Sequence, residues 1–527
     1  MDRRASALWS SAMVPTSDDT VTELEARSGP DDPITEHLDV LIVGAGLSGI
    51  AAAHHMQDSC PWASYAIFEA RDAIGGTWDL FRFPGVRSDS DMFTLGYSFR
   101  PWSRPESIAD GASILSYIHD TAAEAGIDRR IRFQHRVVTA DWSSDDACWH
   151  VTAERTDTGE MVVLTCGFLF SCSGYYRYDR GYLPDFTGMD RFGGAVVHPQ
   201  AWPPDLDHAG QRVVIIGSGA TAVTLVPAMA ETAAQVTMLQ RSPSYILSLP
   251  GTNPITRLVR KVVPEQRRGG VLRWTNALSS QGFYQLSQRR PAFVKRMLLK
   301  GLVRQLPAGY DIDTHFTPTY GPWDQRLCLV PDGDLFRAIK RGDASVVTDR
   351  IDTFTETGLR LESGTELEAD IIVTATGLDL LFLGGIDLTV DGEPVDLPNT
   401  LVYKGMMLEG VPNLAVAVGY TNASWTLRCE LTCDYVCRLL DHLHTTGQRQ
   451  CTPVNDDAAI SPEPLLGLSS GYIQRAVHTC PKQGTRFPWQ AHQSYWRDYR
   501  AMKRRAVTDE GMVFSNPSSR EATPAAV

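Results

Sequence analysis

Nowhere in its 527 residues does the chain hold an uncharged apolar run of about 18 side chains, the length a membrane-crossing helix requires. No apolar stretch follows Arg3 and Arg4 either, so no secretory signal is expected at the start. The 10 cysteines include no CxxC pair. Cys429, Cys433 and Cys437 recur at i, i+4 and i+8, one face of an expected helix. A metal site needs further ligands at tight spacing, and buried apolar packing is the better account. Scattered cysteines fit a reducing compartment, so a cytoplasmic location is expected. Positive charge is also short. The 49 Lys and Arg against 62 Asp and Glu leave a net charge of −13, which argues against nucleic acid as a partner.

What is present places the chain among globular proteins long enough to bury two or three cores. Residues 1–36 are rich in Ser, Thr, Asp, Glu and Pro and read as a disordered tail. Two strand–loop–helix–strand units follow. In the first, Val40-Leu41-Ile42-Val43 runs into Gly44-Ala45-Gly46-Leu47-Ser48-Gly49. In the second, Val213-Val214-Ile215-Ile216 runs into Gly217-Ser218-Gly219-Ala220-Thr221-Ala222. Such a loop aims backbone N–H groups and a helix N-terminus at a pyrophosphate, with the first two glycines permitting the turn and close approach and Gly49 the packing of helix on strand.

Two loops imply two dinucleotides and electron transfer between them. Glu69, ending the second strand of the first unit, is placed to accept hydrogen bonds from ribose hydroxyls. Gln240-Arg241 stands at the matching place in the second unit. A carboxylate there would repel a 2′-phosphate whereas a guanidinium binds it, so NADPH is expected rather than NADH.

The linker Phe192-Gly193-Gly194-Ala195-Val196-Val197-His198-Pro199-Gln200-Ala201-Trp202-Pro203 resembles the FxGxxxHxxxW fingerprint of Baeyer–Villiger monooxygenases at every defined position. Gly75-Gly76-Thr77-Trp78, Phe83-Pro84-Gly85 and Asp89 match a second pattern of that family. Tyr320-Gly321-Pro322-Trp323-Asp324-Gln325-Arg326-Leu327-Cys328 and Gly419-Tyr420-Thr421-Asn422-Ala423-Ser424-Trp425 look like its ethionamide-activating branch.

The resemblance implies FAD on the first loop, touching Gly44, Gly46, Ser48, Gly49, Glu69, Gly76, Trp78 and Asp89. It implies NADPH on the second, touching Gly217, Gly219, Ala220, Thr221 and Arg241. It further implies a reaction with O2 through a C4a-peroxyflavin, which attacks a ketone to give an ester or lactone, with sulfoxidation of thioethers or thioamides as a second outlet. Arg326 is then the catalytic cation and Asp89 its orienting carboxylate. The linker residues Phe192, Gly194, His198 and Trp202 couple the domains, with Trp78 and Trp202 as packing anchors near the flavin. Direct acid–base work by His198 is the lesser reading. Gln325 stands where cyclic-ketone members place a Lys, which puts more of the NADPH preference on Arg241. The alternative within the same chemistry is a flavin monooxygenase acting mainly on sulfur or nitrogen. A disulfide reductase is disfavoured because no CxxxxC pair lies between Glu69 and Arg100, and a sensing protein without turnover has no use for Asp89 and Arg326 together.

The expected fold is α/β with two Rossmann-like dinucleotide-binding domains, the second inserted in the first. The FAD domain takes 37–178 and 365–450, the NADP domain 179–364, and a C-terminal extension, 451–527, packs on the FAD domain. Segments from Ile131 to Thr165 alternate as antiparallel strands. Phe168–Gly174, Ile371–Gly377 and Leu414–Gly419 read as buried strands of the first sheet.

One helical subdomain, about 254–307, breaks the acidic background. Arg257, Arg260, Lys261, Arg267, Arg268, Arg273, Arg289, Arg290, Lys295, Arg296, Lys300 and Arg304 face only Glu265. Either these charges are simply solvated or paired, or the surface makes peripheral contact with an anionic membrane and gathers apolar substrate.

Overall fold

Branched aliphatic runs bracketed by glycine build two central sheets in the computed structural model, which describes residues 36–517. The expected tail lies, up to residue 35, outside the described residues. His37–Val43 (β1), Tyr65–Phe68 (β2), Ile131–Arg132 (β3), His135–Ser143 (β4), Cys148–Arg155 (β5) and Met161–Ser171 (β6) open the first sheet. Its order is Glu393–Pro394, Asp387–Val390, β4, β5, β6, β1, β2, β3, with Leu414–Val416 also paired to β6. The β6-β1-β2-β3 side is parallel and β4-β5-β6 antiparallel, so the alternating segments continue the first sheet.

Val40 and Ile42 enter one core while Leu41 and Val43 enter the other, the period of two that a strand buried on both faces imposes. Leu47–Ser59 (α1) covers the first face. Its Ala51, Ala52 and Ala53 are fully buried, and their small side chains let the helix lie close to the sheet.

Ala195–Val197 (β7), Arg212–Ile216 (β8), Gln235–Gln240 (β9), Ala344–Thr348 (β10) and Ile371–Thr374 (β11) form the second sheet in the order β10-β9-β8-β11-β7, parallel throughout. Here Val213 and Ile215 point into one core and Val214 and Ile216 into the other. Ala220–Met229 (α2) follows the second glycine loop.

The placing of Ile371–Gly377 in the first sheet is corrected by this pairing. Ile371–Thr374 lies between β8 and β7, so the second domain runs past 364 and the chain returns to the first only after it. Buried apolar runs look alike in either sheet; only register distinguishes them. The two crossings between domains, Tyr176–Gly181 and Leu378–Leu380, pair antiparallel with each other.

Three helices carry the basic segment: Pro254–Val262 (α3), Glu265–Arg289 (α4) and Pro291–Val303 (α5). Trp425–Thr446 (α6) then closes the first domain, with Cys429, Cys433 and Cys437 buried in the core above α1. The C-terminal extension is held to that domain by Gln450–Pro453 pairing with Met512–Ser515, by the buried ion pair Arg428–Asp498 at 3.3 Å, and by the buried Lys404 ammonium reaching the part-exposed Asp509 at 2.8 Å.

Candidate active site

Both glycine loops open into one cavity of about 1230 Å³ between the domains. Gly44, Gly46, Ser48, Glu69, Gly76, Trp78 and Asp89 line its first half, and Gly217, Gly219, Ala220, Thr221 and Arg241 the second. Arg326 lines it too. Two dinucleotide sites facing across one space is the arrangement that hydride transfer between cofactors needs.

The local geometry fits a pyrophosphate on the first loop. Gly46 and Gly76 lie back to back, with a Cβ built on Gly46 only 3.7 Å from the Gly76 Cα, so two strips of bare backbone face the cavity. Gly49 does different work, since a Cβ there would stand 1.8 Å from the Gly44 carbonyl oxygen. That contact sets how closely α1 approaches β1. Glu69 accepts hydrogen bonds from the Ala45 N–H at 2.7 Å and the Arg71 N–H at 3.0 Å, leaving one lone pair on each oxygen for ribose. Burial pushes its pKa up, against the lowering by those two donors. Ser48 turns its hydroxyl to the Trp425 indole N–H at 2.9 Å and to Cys429, so it supports the loop from behind.

At the centre Arg326 pairs with Asp89 at 2.9 Å. Their side chains keep 28% and 43% exposure, and both line the cavity. Asp89 raises the Arg326 pKa further and fixes the cation. Asp89 caps no helix; that role falls to Asp91, which accepts from the Phe93 and Thr94 N–H groups. Tyr175, Tyr176 and Tyr472 share the cavity, and burial raises the pKa of each, so they stay neutral donors.

The linker residues lie outside the cavity lining. His198 accepts the Gln200 N–H at Nδ1 and donates from Nε2 to the Gly377 carbonyl at 3.2 Å. Its ring fills the place a side chain on Gly181 would take, 1.9 Å from that Cβ. Both glycines lie at the crossing strands, and burial lowers the His198 pKa, so a neutral ring is packed and hydrogen-bonded against them. Phe192 packs in the outer core of the second domain, and Gly194 leads into β7 against the Asp370 carbonyl. Trp202 packs on the core around α2, which corrects its expected place beside the flavin; Trp78 does line the cavity.

Several cavity residues carry no sequence signal. Arg350 lies just past β10, whose register pairs Thr348 with Gln240, and it lines the same cavity as Arg241. Arg71, outside that lining, braces the Gly75–Gly76 turn through the Gly76 carbonyl and pairs with Asp79. Tyr472 arrives from the C-terminal extension, where no motif marks it.

Comparison with known proteins agrees with this layout. The flavin-binding monooxygenase-like model matches residues 98–258 and the NAD(P)-binding Rossmann-like domain residues 42–103. The FAD-containing monooxygenase EthA of Mycobacterium tuberculosis is 52% identical over 92% of this chain and 98% of its own length. The putative FAD-containing monooxygenase MymA of the same organism is 50% identical at the same coverage. The probable FAD-binding monooxygenase AlmA of Acinetobacter baylyi is 46% identical over 91% of this chain and 96% of its own. Among solved structures, an oxidised steroid monooxygenase bound to NADP superposes with TM-score 0.74 at 23% identity, covering 91% of this chain and 100% of that one. Cyclohexanone monooxygenase from Rhodococcus sp. Phi1 bound to NADP+ gives TM-score 0.65 at 19% identity, over 81% and 87%. Near-complete coverage at about half identity settles the matter: the chain belongs to the FAD-containing monooxygenase family of EthA and MymA.

Proposed function

We propose that this protein is an NADPH- and O2-dependent Baeyer–Villiger monooxygenase that inserts oxygen beside a ketone carbonyl, with sulfoxidation of thioethers or thioamides as a second activity. The observation that carries the reading is the Arg326–Asp89 pair turned into the cavity that both glycine loops share. Bound FAD supplies the hydride acceptor and the activation of O2. Arg326 holds a fixed positive charge in the cavity where anionic oxygen develops, and a preorganised charge of this kind stabilises it. Asp89 keeps that guanidinium in place. Tyr175, Tyr176 and Tyr472 offer neutral hydroxyls to the substrate oxygen without adding negative charge. His198 holds the two crossing strands together.

The second reading, oxidation mainly at sulfur or nitrogen, draws on the likeness of Tyr320–Cys328 to the ethionamide-activating branch. A substrate bearing both a ketone and a thioether decides between them by the ratio of ester to sulfoxide. Ester as a major product is expected; sulfoxide alone would remove the Baeyer–Villiger assignment.

NADPH preference rests on Arg241, and Arg350 adds a second guanidinium to the same cavity lining. Arg241→Ala should raise KM for NADPH and leave that for NADH nearly unchanged. A charge-assisted hydrogen bond is worth about 1.5–3 kcal/mol, so the preference should fall about 10- to 150-fold. Equal effects on both nucleotides would show that Arg241 does not read the 2′-phosphate. The proposal extends to place: a cytoplasmic enzyme in peripheral contact with anionic membrane through the helical insert.

A further inference from the structure

Two apolar faces, where one would suffice, mark the helical insert. Leu272 and Ala277 of α4 and Val294, Leu298 and Leu302 of α5 point inward and are buried. A helix needs only that stripe to pack on its own domain. Yet Leu258 and Val262 stand one turn apart on α3, 60% and 68% exposed. Phe293 and Met297 stand one turn apart on α5, and Val271 and Leu278 two turns apart on α4, all facing solvent. Bases stand beside these side chains along the helices, Arg257 and Lys261 on α3 and Arg296 and Lys300 on α5. Within the insert, Arg273 alone has a carboxylate partner among the described residues, the buried Glu430. Arg289 and Arg290 at the end of α4, and Arg296, Lys300 and Arg304 along and just beyond α5, have none.

The inner side of the same helices forms the wall behind the reaction centre. Tyr284 of α4 meets Trp323 edge to face, with ring centroids 5.6 Å apart. Leu327 is buried in one cluster with Val294 and Leu298 of α5. The Lys295 ammonium donates to the Pro318 carbonyl at 2.7 Å. Arg326 lies in the chain between Trp323 and Leu327, so the insert holds the segment that carries the central cation.

Resting on the monooxygenase reading above, we propose that the outer face of α3–α5 docks on an anionic lipid surface, and that the enzyme's substrates are apolar ketones or thioethers dissolved in that lipid. Exposed aliphatic and aromatic side chains spread over three helices, with cations beside them, suit an acyl boundary beneath phosphate headgroups. With a net charge of −13 the rest of the chain is repelled by such a surface, so the insert also fixes which side approaches it.

The test uses the flavin-loaded full chain with phosphatidylcholine vesicles, alone or containing phosphatidylglycerol, at low and high salt. Activity is followed on a short water-soluble ketone in buffer and on a long-chain ketone carried in the vesicles. The chain should sediment with the anionic vesicles only and be released by salt. Arg289→Gln with Arg296→Gln should weaken sedimentation about 30-fold, two surface charges' worth. Val262→Ser with Phe293→Ser should abolish it. Both double variants should keep the short-ketone rate and lose the vesicle-borne rate in proportion to the lost binding. Equal sedimentation on neutral and anionic vesicles, or unchanged sedimentation of both variants, overturns the docking. Vesicle-borne turnover that survives the loss of binding overturns the substrate assignment. Failure of the unmodified chain to oxidise any short ketone in buffer would overturn the Baeyer–Villiger reading instead, while sedimentation still decides the docking by itself.

Discussion

Arg326→Ala should retain FAD and continue to oxidise NADPH while the ester formed per NADPH falls about 10²–10³-fold. Hydride transfer depends on where the two nucleotides lie, which the glycine loops set, and the ion pair of the Arg326 guanidinium is with Asp89. Oxygen insertion depends on negative charge developing beside Arg326, the cation that Asp89 holds at 2.9 Å. Without it the electrons should leave as hydrogen peroxide. Arg326→Lys restores a charge but not a planar donor fork, and should recover only part of the yield. Asp89→Asn should lower the yield less than Arg326→Ala, because the cation remains and only its placement loosens. Ester and peroxide are counted against NADPH consumed. A product ratio for Arg326→Ala equal to that of the unmodified enzyme would take Arg326 out of the mechanism.

Flavin retention should be lost in both Gly46→Asp and Gly49→Ala, but for different reasons. The Gly46 Cβ position has no protein atom nearer than the Gly76 Cα at 3.7 Å, so the chain accommodates a side chain there and only the pyrophosphate is refused, by bulk and by charge. At Gly49 the added methyl meets the Gly44 carbonyl oxygen, and α1 must lift from the sheet that it covers. Overpacking of this kind costs about 1–3 kcal/mol and occasionally more. The melting temperature of the flavin-free proteins should therefore be unchanged in Gly46→Asp and lowered in Gly49→Ala. Full flavin content of Gly46→Asp after gel filtration would contradict the assignment of the first loop.

Local pattern made much of this legible. Strand–glycine–helix units announce themselves because turn, close approach and helix packing each demand glycine at a fixed spacing, and both units occur where the residues place them. The Arg326–Asp89 pairing came through resemblance, since nothing local connects two residues so far apart in the chain. Register was the part that could not be read. Ile371–Thr374 and Leu414–Val416 are equally apolar runs, yet one completes the second sheet and the other the first. Arg350 was missed for the same reason, as it reaches the cavity rim only because β10 lies beside β9. Trp202 shows the reverse limit: a fingerprint residue whose position was right in the chain and whose contacts, on the core around α2, were not the expected ones.

The split first sheet has a consequence for how the chain acquires its fold. Domains usually fold as units in the order of synthesis, the N-terminal one first. Here β1 to β6 emerge early, but Asp387–Val390 and Leu414–Val416, which complete that sheet, leave the ribosome only after the whole of the second sheet, 195–374. The later-made domain can therefore close while the earlier one still holds an unpaired edge at β4. Until residue 416 arrives, the nascent chain carries a hydrophobic sheet whose missing strands are not yet made, and that interval is when it is most exposed to aggregation.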